Sequence, residues 1–285
     1  MSLKRIVIKI GTNVLQQTNG KLDYKLISEL TSQISIIRSN GHEVLLVSSG
    51  SVGAGRELFS VDESGNTLAS HQILASVGQA KLIQIYSDSF RKHKTTVAQI
   101  LLTRGDFGLR KSYLNIRNTL ENLLKYRIVP IVNENDVVAT EELDLNFGDN
   151  DLLAVYLATL IGADQLFFLT VAPGLLKEEE TAQGKQSKVV AKVEKLTEEI
   201  IQHCLPFTSA GGKGGMESKV RSAGMAMSFG IDTYIIDGKF PAGVFEIMEG
   251  RPLGTHFVAH GRKIRSYQKW LAAGALNKGT LIIDQ

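Results

Sequence analysis

The chain has 285 residues, 43% of them hydrophobic and 21% charged, with 32 basic against 29 acidic side chains and a formal net charge of +3. Those values exclude a disordered chain, and the even scatter of Lys and Arg, with no basic block, leaves no nucleic-acid partner to expect. No apolar run approaches the roughly 20 residues of a membrane span. The opening MSLKRIVIKIG is interrupted by Lys9, so neither membrane insertion nor a secretory leader is expected. The single cysteine, Cys204, fits a reducing compartment, the cytoplasm, as a small buried hydrophobe.

Short β-branched runs alternate with stretches of helical period. RIVIKI (5–10) predicts a strand, followed by a helix over Tyr24–Ser39 and a strand in EVLLVSS (43–49). A helix over 69–92, a strand in TTVAQILL (95–102), a helix over 112–125 and a strand in RIVPIV (127–132) continue the rhythm. After it come a helix over 150–161, a strand in QLFFLTV (165–171), a helix over 216–229 and a strand in TYIID (233–237). This βα alternation, with nearly continuous apolar strands, predicts an α/β fold whose mainly parallel sheet carries helices on both faces. Two stretches break the pattern. Residues 133–150, NENDVVATEELDLNFGDN, read as an inserted hairpin, and residues 177–192, KEEETAQGKQSKVVAK, as a mobile, charged surface excursion. Residues 1–260 read as one domain and 261–285 as a tail anchored by Trp270.

In an open parallel sheet, ligands gather beyond the carboxyl ends of the strands, where helix starts present unpaired N–H groups. Three glycine-bearing turns fall there: KIGTN (9–13), SSGSVGAG (48–55) and AGGKGGMESK (210–219). Any one of them serves as a tight turn as well as a phosphate cradle; together they point to a polyanionic ligand. None matches the P-loop or the dinucleotide fingerprint. Lys9, inside an apolar strand, needs an anion beside it, and Lys219 stands near the start of the helix opened by Gly214 and Gly215. NEND (133–136) and FGDND (147–151) offer three readings: a pair of Asx turns, a clamp for the ammonium and carboxylate of a small zwitterion, or a site for Mg²⁺ or Ca²⁺.

Taken in order, VIKIGTNVL, VSSGSVGAG, VPIVNENDVV, FGDNDLLA and GGKGGMESKV resemble the motif set of the amino acid kinase superfamily, most closely that of its glutamate 5-kinase family. The resemblance spans about residues 5–260 and implies a three-layer αβα sandwich. It implies transfer of the γ-phosphate of ATP, with Mg²⁺ bridging the phosphates, to the side-chain carboxylate of L-glutamate, the first step of proline biosynthesis.

By motif match, Lys9 and Lys219 would stabilise the transferring group and Asp151 would orient them. Ser49, Gly50, Asn133, Asp136, Asp149 and Asn150 would bind glutamate. Gly11, Thr170, Val171, Gly212, Lys213, Gly214, Gly215 and Met216 would bind nucleotide together with both lysines. No residue is assigned to a metal. The resemblance also implies a homodimer or homotetramer and a possible feedback inhibitor, proline.

The glycines of SSGSVGAG would let substrate and phosphate approach the backbone, so a bulky side chain at Gly50 or Gly53 is expected to close that space. The chain departs from the family pattern at Val171, where LTV replaces LTD, and at Lys213, where GKGG replaces GTGG. Many relatives continue into a C-terminal PUA domain. This chain ends soon after RKIRSYQKW, which leads us to expect a kinase domain alone. Two alternatives stand beside the glutamate reading: a superfamily kinase for another small acid, and a non-catalytic amino-acid-sensing module, which would be expected to lose the lysines.

Overall fold

The structure is a computed structural model that describes residues 2–61, 67–138, 150–181, 184–202, 204 and 215–260. The predicted tail 261–285, with Trp270, and most of the predicted hairpin, 139–149, lie outside the described residues.

The first half of the chain lays down β1 (Arg5–Ile10), α1 (Thr12–Leu15), α2 (Tyr24–Ser39), β2 (Glu43–Ser48), α3 (Ser51–Arg56) and α4 (Thr67–Arg91). Then follow β3 (Val97–Leu102), α5 (Arg104–Gly108), α6 (Arg110–Lys125), β4 (Val129–Glu134), α7 (Asn150–Ile161) and β5 (Gln165–Thr170). The last third adds β6 (Leu176–Thr181), β7 (Gly184–Val189), β8 (Lys192–Val193), α8 (Glu198–Gln202), α9 (Met216–Ser228), β9 (Asp232–Asp237), α10 (Gly243–Met248) and β10 (Thr255–Phe257).

Eight strands form one sheet in the order β3-β4-β2-β1-β5-β9-β10-β8, parallel except for the antiparallel β9–β10 pair. Strand periodicity divides the core. Ile6, Ile8 and Ile10 of β1 face α2 and α4, whereas Val7 faces the layer built from α6, α7 and α9. The same alternation holds in β5, where Phe167 and Leu169 join the first cluster and Leu166 and Phe168 the second. The three-layer sandwich expected from the motifs is therefore present.

Asp23 caps α2 by accepting a hydrogen bond from the Leu26 N–H at 3.1 Å, and Thr103 with Asp106 forms a capping box at α5. The α2 cap agrees with the predicted start at Tyr24, whereas α5 is a short helix that the periodicity did not predict.

The charged stretch 177–192 differs from its expectation. It is an ordered antiparallel hairpin, β6 paired with β7 from Leu176↔Val189 to Thr181↔Gly184. Lys, Glu, Gln and Ser carry little strand propensity, so the hairpin's main-chain ladder left no trace in side-chain patterning.

Candidate active site

Strand order reverses around β1, with β2 on one side and β5 on the other, and this is where a doubly wound sheet opens a crevice beyond its carboxyl edge. The crevice floor is tied together by main chain: the Ser49 N–H donates to the Ile10 carbonyl at 3.2 Å and the Gly11 N–H to the Leu169 carbonyl at 3.3 Å.

Lys9 sits on the same face of β1 as Val7, toward α7. Its Nζ lies 2.7 Å from Asp151 Oδ1, and Lys219 Nζ lies 3.1 Å from Asp151 Oδ2. Asp151 is the second residue of α7 and Lys219 the fourth of α9, so a strand and two helix starts deliver one residue each. All three are buried, at 4%, 0% and 6% exposure for Lys9, Asp151 and Lys219. Burial alone would raise the Asp151 carboxyl; the charges and hydrogen bonds of Lys9 and Lys219 outweigh it and hold the carboxyl below its ordinary value. Two lysine side chains converging on one buried carboxylate form a basic centre, a kind of site that an anion stabilises.

Beside this triad runs a chain of polar side chains. Asn150 Nδ2 donates to Ser49 Oγ at 2.8 Å and to Asn133 Oδ1 at 3.0 Å, and Asn133 Nδ2 donates to Gln79 Oε1 at 2.9 Å. Ser51 Oγ donates to Asp136 Oδ2 at 3.2 Å, bringing the turn after β4 to the start of α3. Ser49, Asn133 and Asn150 are thus hydrogen-bonded together, Asn150 standing next to Asp151 in sequence, and Asp136 is bonded to the neighbouring Ser51. Thr170 ends β5, Val171 is half exposed just beyond it, and Gly215 and Met216 open α9. Asp149, Gly212, Lys213 and Gly214 lie outside the described residues.

Sequence reasoning missed the contribution of α4. Its Gln79 ends the amide chain, and its Tyr86, buried with its hydroxyl pushed up to about 12 by desolvation, bonds Ser48 Oγ at 2.9 Å. Lys81 pairs with Glu57, whose carboxylate also accepts from Tyr24 Oη at 2.8 Å, stapling the start of α2 to the end of α3. Burial opposes ionisation of Glu57, but these partners prevail and its carboxyl is held low. Nothing in a long amphipathic helix marks which polar residues point inward.

The glycines of this segment also meet a packing requirement. A Cβ on Gly55 would lie 2.1 Å from the Leu74 carbonyl oxygen, one on Gly78 1.8 Å from the Ser51 carbonyl oxygen, and one on Gly53 2.3 Å from Gln16 Nε2. What approaches this backbone most closely is α4, packed directly on α3. Gly50 is required by its backbone, since its φ of +105° is left-handed. At Gly53 an added Cβ would meet the end of the Gln16 side chain.

The chain is a phosphotransferase of the amino acid kinase family, whose family model matches residues 4–237. Two solved structures share the architecture. Carbamate kinase from Giardia lamblia, bound to AMP-PNP, superposes with a TM-score of 0.63 at 17% identity over 91% of this chain and 99% of that one. UMP kinase from Bacillus anthracis gives 0.60 at 14% identity over 90% and 97%. Within the family the chain belongs to the glutamate 5-kinases. It is 38% identical over 281 residues to glutamate 5-kinase of Thermoanaerobacter sp. (strain X514), covering 99% of this chain and 75% of that protein. Against glutamate 5-kinase of Chlorobaculum tepidum it is 40% identical over 283 residues, covering 99% and 76%.

Proposed function

We propose that the chain transfers the γ-phosphoryl group of ATP to the side-chain carboxylate of L-glutamate, and that the buried Lys9–Asp151–Lys219 triad is the phosphoryl-transfer centre. The observation that carries this reading is one carboxylate holding two buried ammonium groups at the carboxyl end of β1, 2.7 and 3.1 Å away. A glutamate carboxylate has a pKa of about 4.3, so it arrives ionised and needs no general base. What the reaction requires is alignment and neutralisation of charge spreading over the phosphoryl oxygens, which two preorganised cations supply. Asp151 touches neither substrate in this reading; it keeps both ammonium groups aimed.

Ser49, Asn133, Asp136 and Asn150 form the glutamate side, with Gly50 shaping the turn and Asp149 assigned alongside. Thr170, Val171, Gly215, Met216 and the 212–214 segment form the nucleotide side, with Gly11 between the two. Among the described residues no group of three or more His, Cys, Asp or Glu side chains is arranged to hold a metal, and both oxygens of Asp151 face lysines. Mg²⁺ would arrive with the nucleotide, held chiefly by phosphate oxygens.

No helix among the described residues is long and apolar enough to cross a membrane. A lone cysteine, Cys204, with its thiol pushed up to about 11 chiefly by burial, is consistent with the cytoplasm we propose as the protein's compartment. The family reading further carries a homo-oligomer, dimer or tetramer, and inhibition by proline; light scattering and rates with and without proline read both.

The test is ADP release against a panel of small acids. Glutamate-dependent release is expected; release only with another acid would replace glutamate as the acceptor, and no release with any acid would favour a sensing module.

A further inference from the structure

The amide chain beside the triad has a direction. Gln79 Oε1 accepts from Asn133 Nδ2, which turns Asn133 Oδ1 toward Asn150. Asn150 then spends its Nδ2 donors on Asn133 Oδ1 and Ser49 Oγ. Two consequences follow at the substrate end. Asn150 Oδ1 is a buried acceptor with no hydrogen-bond partner, and Ser49, accepting through its oxygen, keeps its own hydroxyl proton to give. A buried acceptor left without a donor is unfavourable, and an incoming N–H group relieves it.

We propose that Gln79 is a positioning residue that sets the polarity of this relay, so that the substrate meets Asn150 as an acceptor and Ser49 as a donor. That pattern fits a molecule carrying both an ammonium and a carboxylate. It selects an α-amino acid over the corresponding dicarboxylic acid, which has no N–H to offer. With the relay reversed, Asn150 would present Nδ2 and the preference would shift toward carboxylate oxygens.

Gln79 is well placed to hold this setting because its neighbour, Gly78, brings α4 against the backbone of α3 and fixes where the Gln79 side chain begins. Asn133 is only 3% exposed, so loss of Gln79 leaves its Nδ2 a buried donor stripped of that acceptor. The inference rests on the glutamate side proposed above and deepens it.

The experiment measures dissociation constants for L-glutamate and for glutarate by calorimetry in the parent, Gln79→Met and Gln79→Glu. Methionine has similar length but no amide acceptor, whereas a carboxylate offers acceptors only and locks the stated polarity. Gln79→Met is expected to lower the preference for glutamate over glutarate by about tenfold, the equivalent of one hydrogen bond, while Gln79→Glu keeps it. Gln79→Ala, which removes the acceptor without a long side chain to pack, is read the same way. An unchanged preference in Gln79→Met and Gln79→Ala, with both acids weakened equally or only Tm lowered, would overturn the relay and leave Gln79 a packing residue. If Asn150→Ala binds glutamate as the parent does, the failure lies in the glutamate side itself, and the relay falls with it.

Discussion

Lys9 and Lys219, on a strand near the start of the chain and a helix near its end, share a single carboxylate, Asp151, that no solvent reaches. Two buried ammonium groups drawn to one carboxylate make this end of the sheet basic, which suits an anionic ligand.

Lys9→Ala or Lys219→Ala should lower kcat far more than it raises the glutamate KM, because charge on the phosphoryl oxygens is greatest in the transition state. Loss of one such group costs roughly 3–4 kcal/mol, a fall of about two to three orders of magnitude in rate. Steady-state kinetics with both substrates varied decide it: a normal kcat with only KM altered would remove the lysines from the transfer step.

The depressed Asp151 carboxyl predicts how stability follows pH. Its folded pKa lies below the unfolded value of about 3.9, so its contribution is complete above that value and is lost as pH falls through the folded one. Asp151→Asn removes that contribution at all pH values and strands two buried cations, at a cost of roughly 3–5 kcal/mol. Urea midpoints for both proteins should differ most near pH 7 and converge in strong acid; a difference constant down to pH 2 would contradict the assigned ionisation.

Substitutions at the two ends of the crevice should separate the ligands. Asp136→Ala should weaken glutamate and spare ATP, because Asp136 is held by Ser51 on the α3 side. Val171 accepts no side-chain hydrogen bond and is half exposed, so the parent should discriminate only modestly between ATP and GTP. Val171→Asp should change that ratio of kcat/KM and leave glutamate alone. Strong ATP preference in the parent, unchanged by the substitution, would place Val171 away from the base.

The glycines give a test of packing independent of catalysis. Gly78→Ala and Gly55→Ala each drive a methyl into a backbone carbonyl oxygen and should destabilise by roughly 1–3 kcal/mol. Gly215→Ala meets nothing within 4 Å at a φ of −63°, and its Tm should stay within a degree or two. Equal Tm values for all three variants would show that α3 and α4 do not pack as described.

Much of this architecture is written in local sequence. Apolar runs such as RIVIKI and QLFFLT are strands because β-branched and aromatic side chains fit a doubly covered sheet, and the helices over Tyr24–Ser39 and Asn150–Ile161 begin and end where periodicity places them. Lys9 also announced itself, since a charge in such a strand needs a partner, and the family motifs supplied Asp151 and Lys219 as candidates. The sequence could not supply contacts between distant segments. Only the packed chain shows that Asp151 reaches both lysines, that Gln79 ends a relay through Asn133 and Asn150, and that Gly55 and Gly78 serve a helix crossing. Side-chain patterning reports burial and period along one element. Which polar groups meet across elements depends on helix placement and approach distance, and those are fixed only when the layers close on one another.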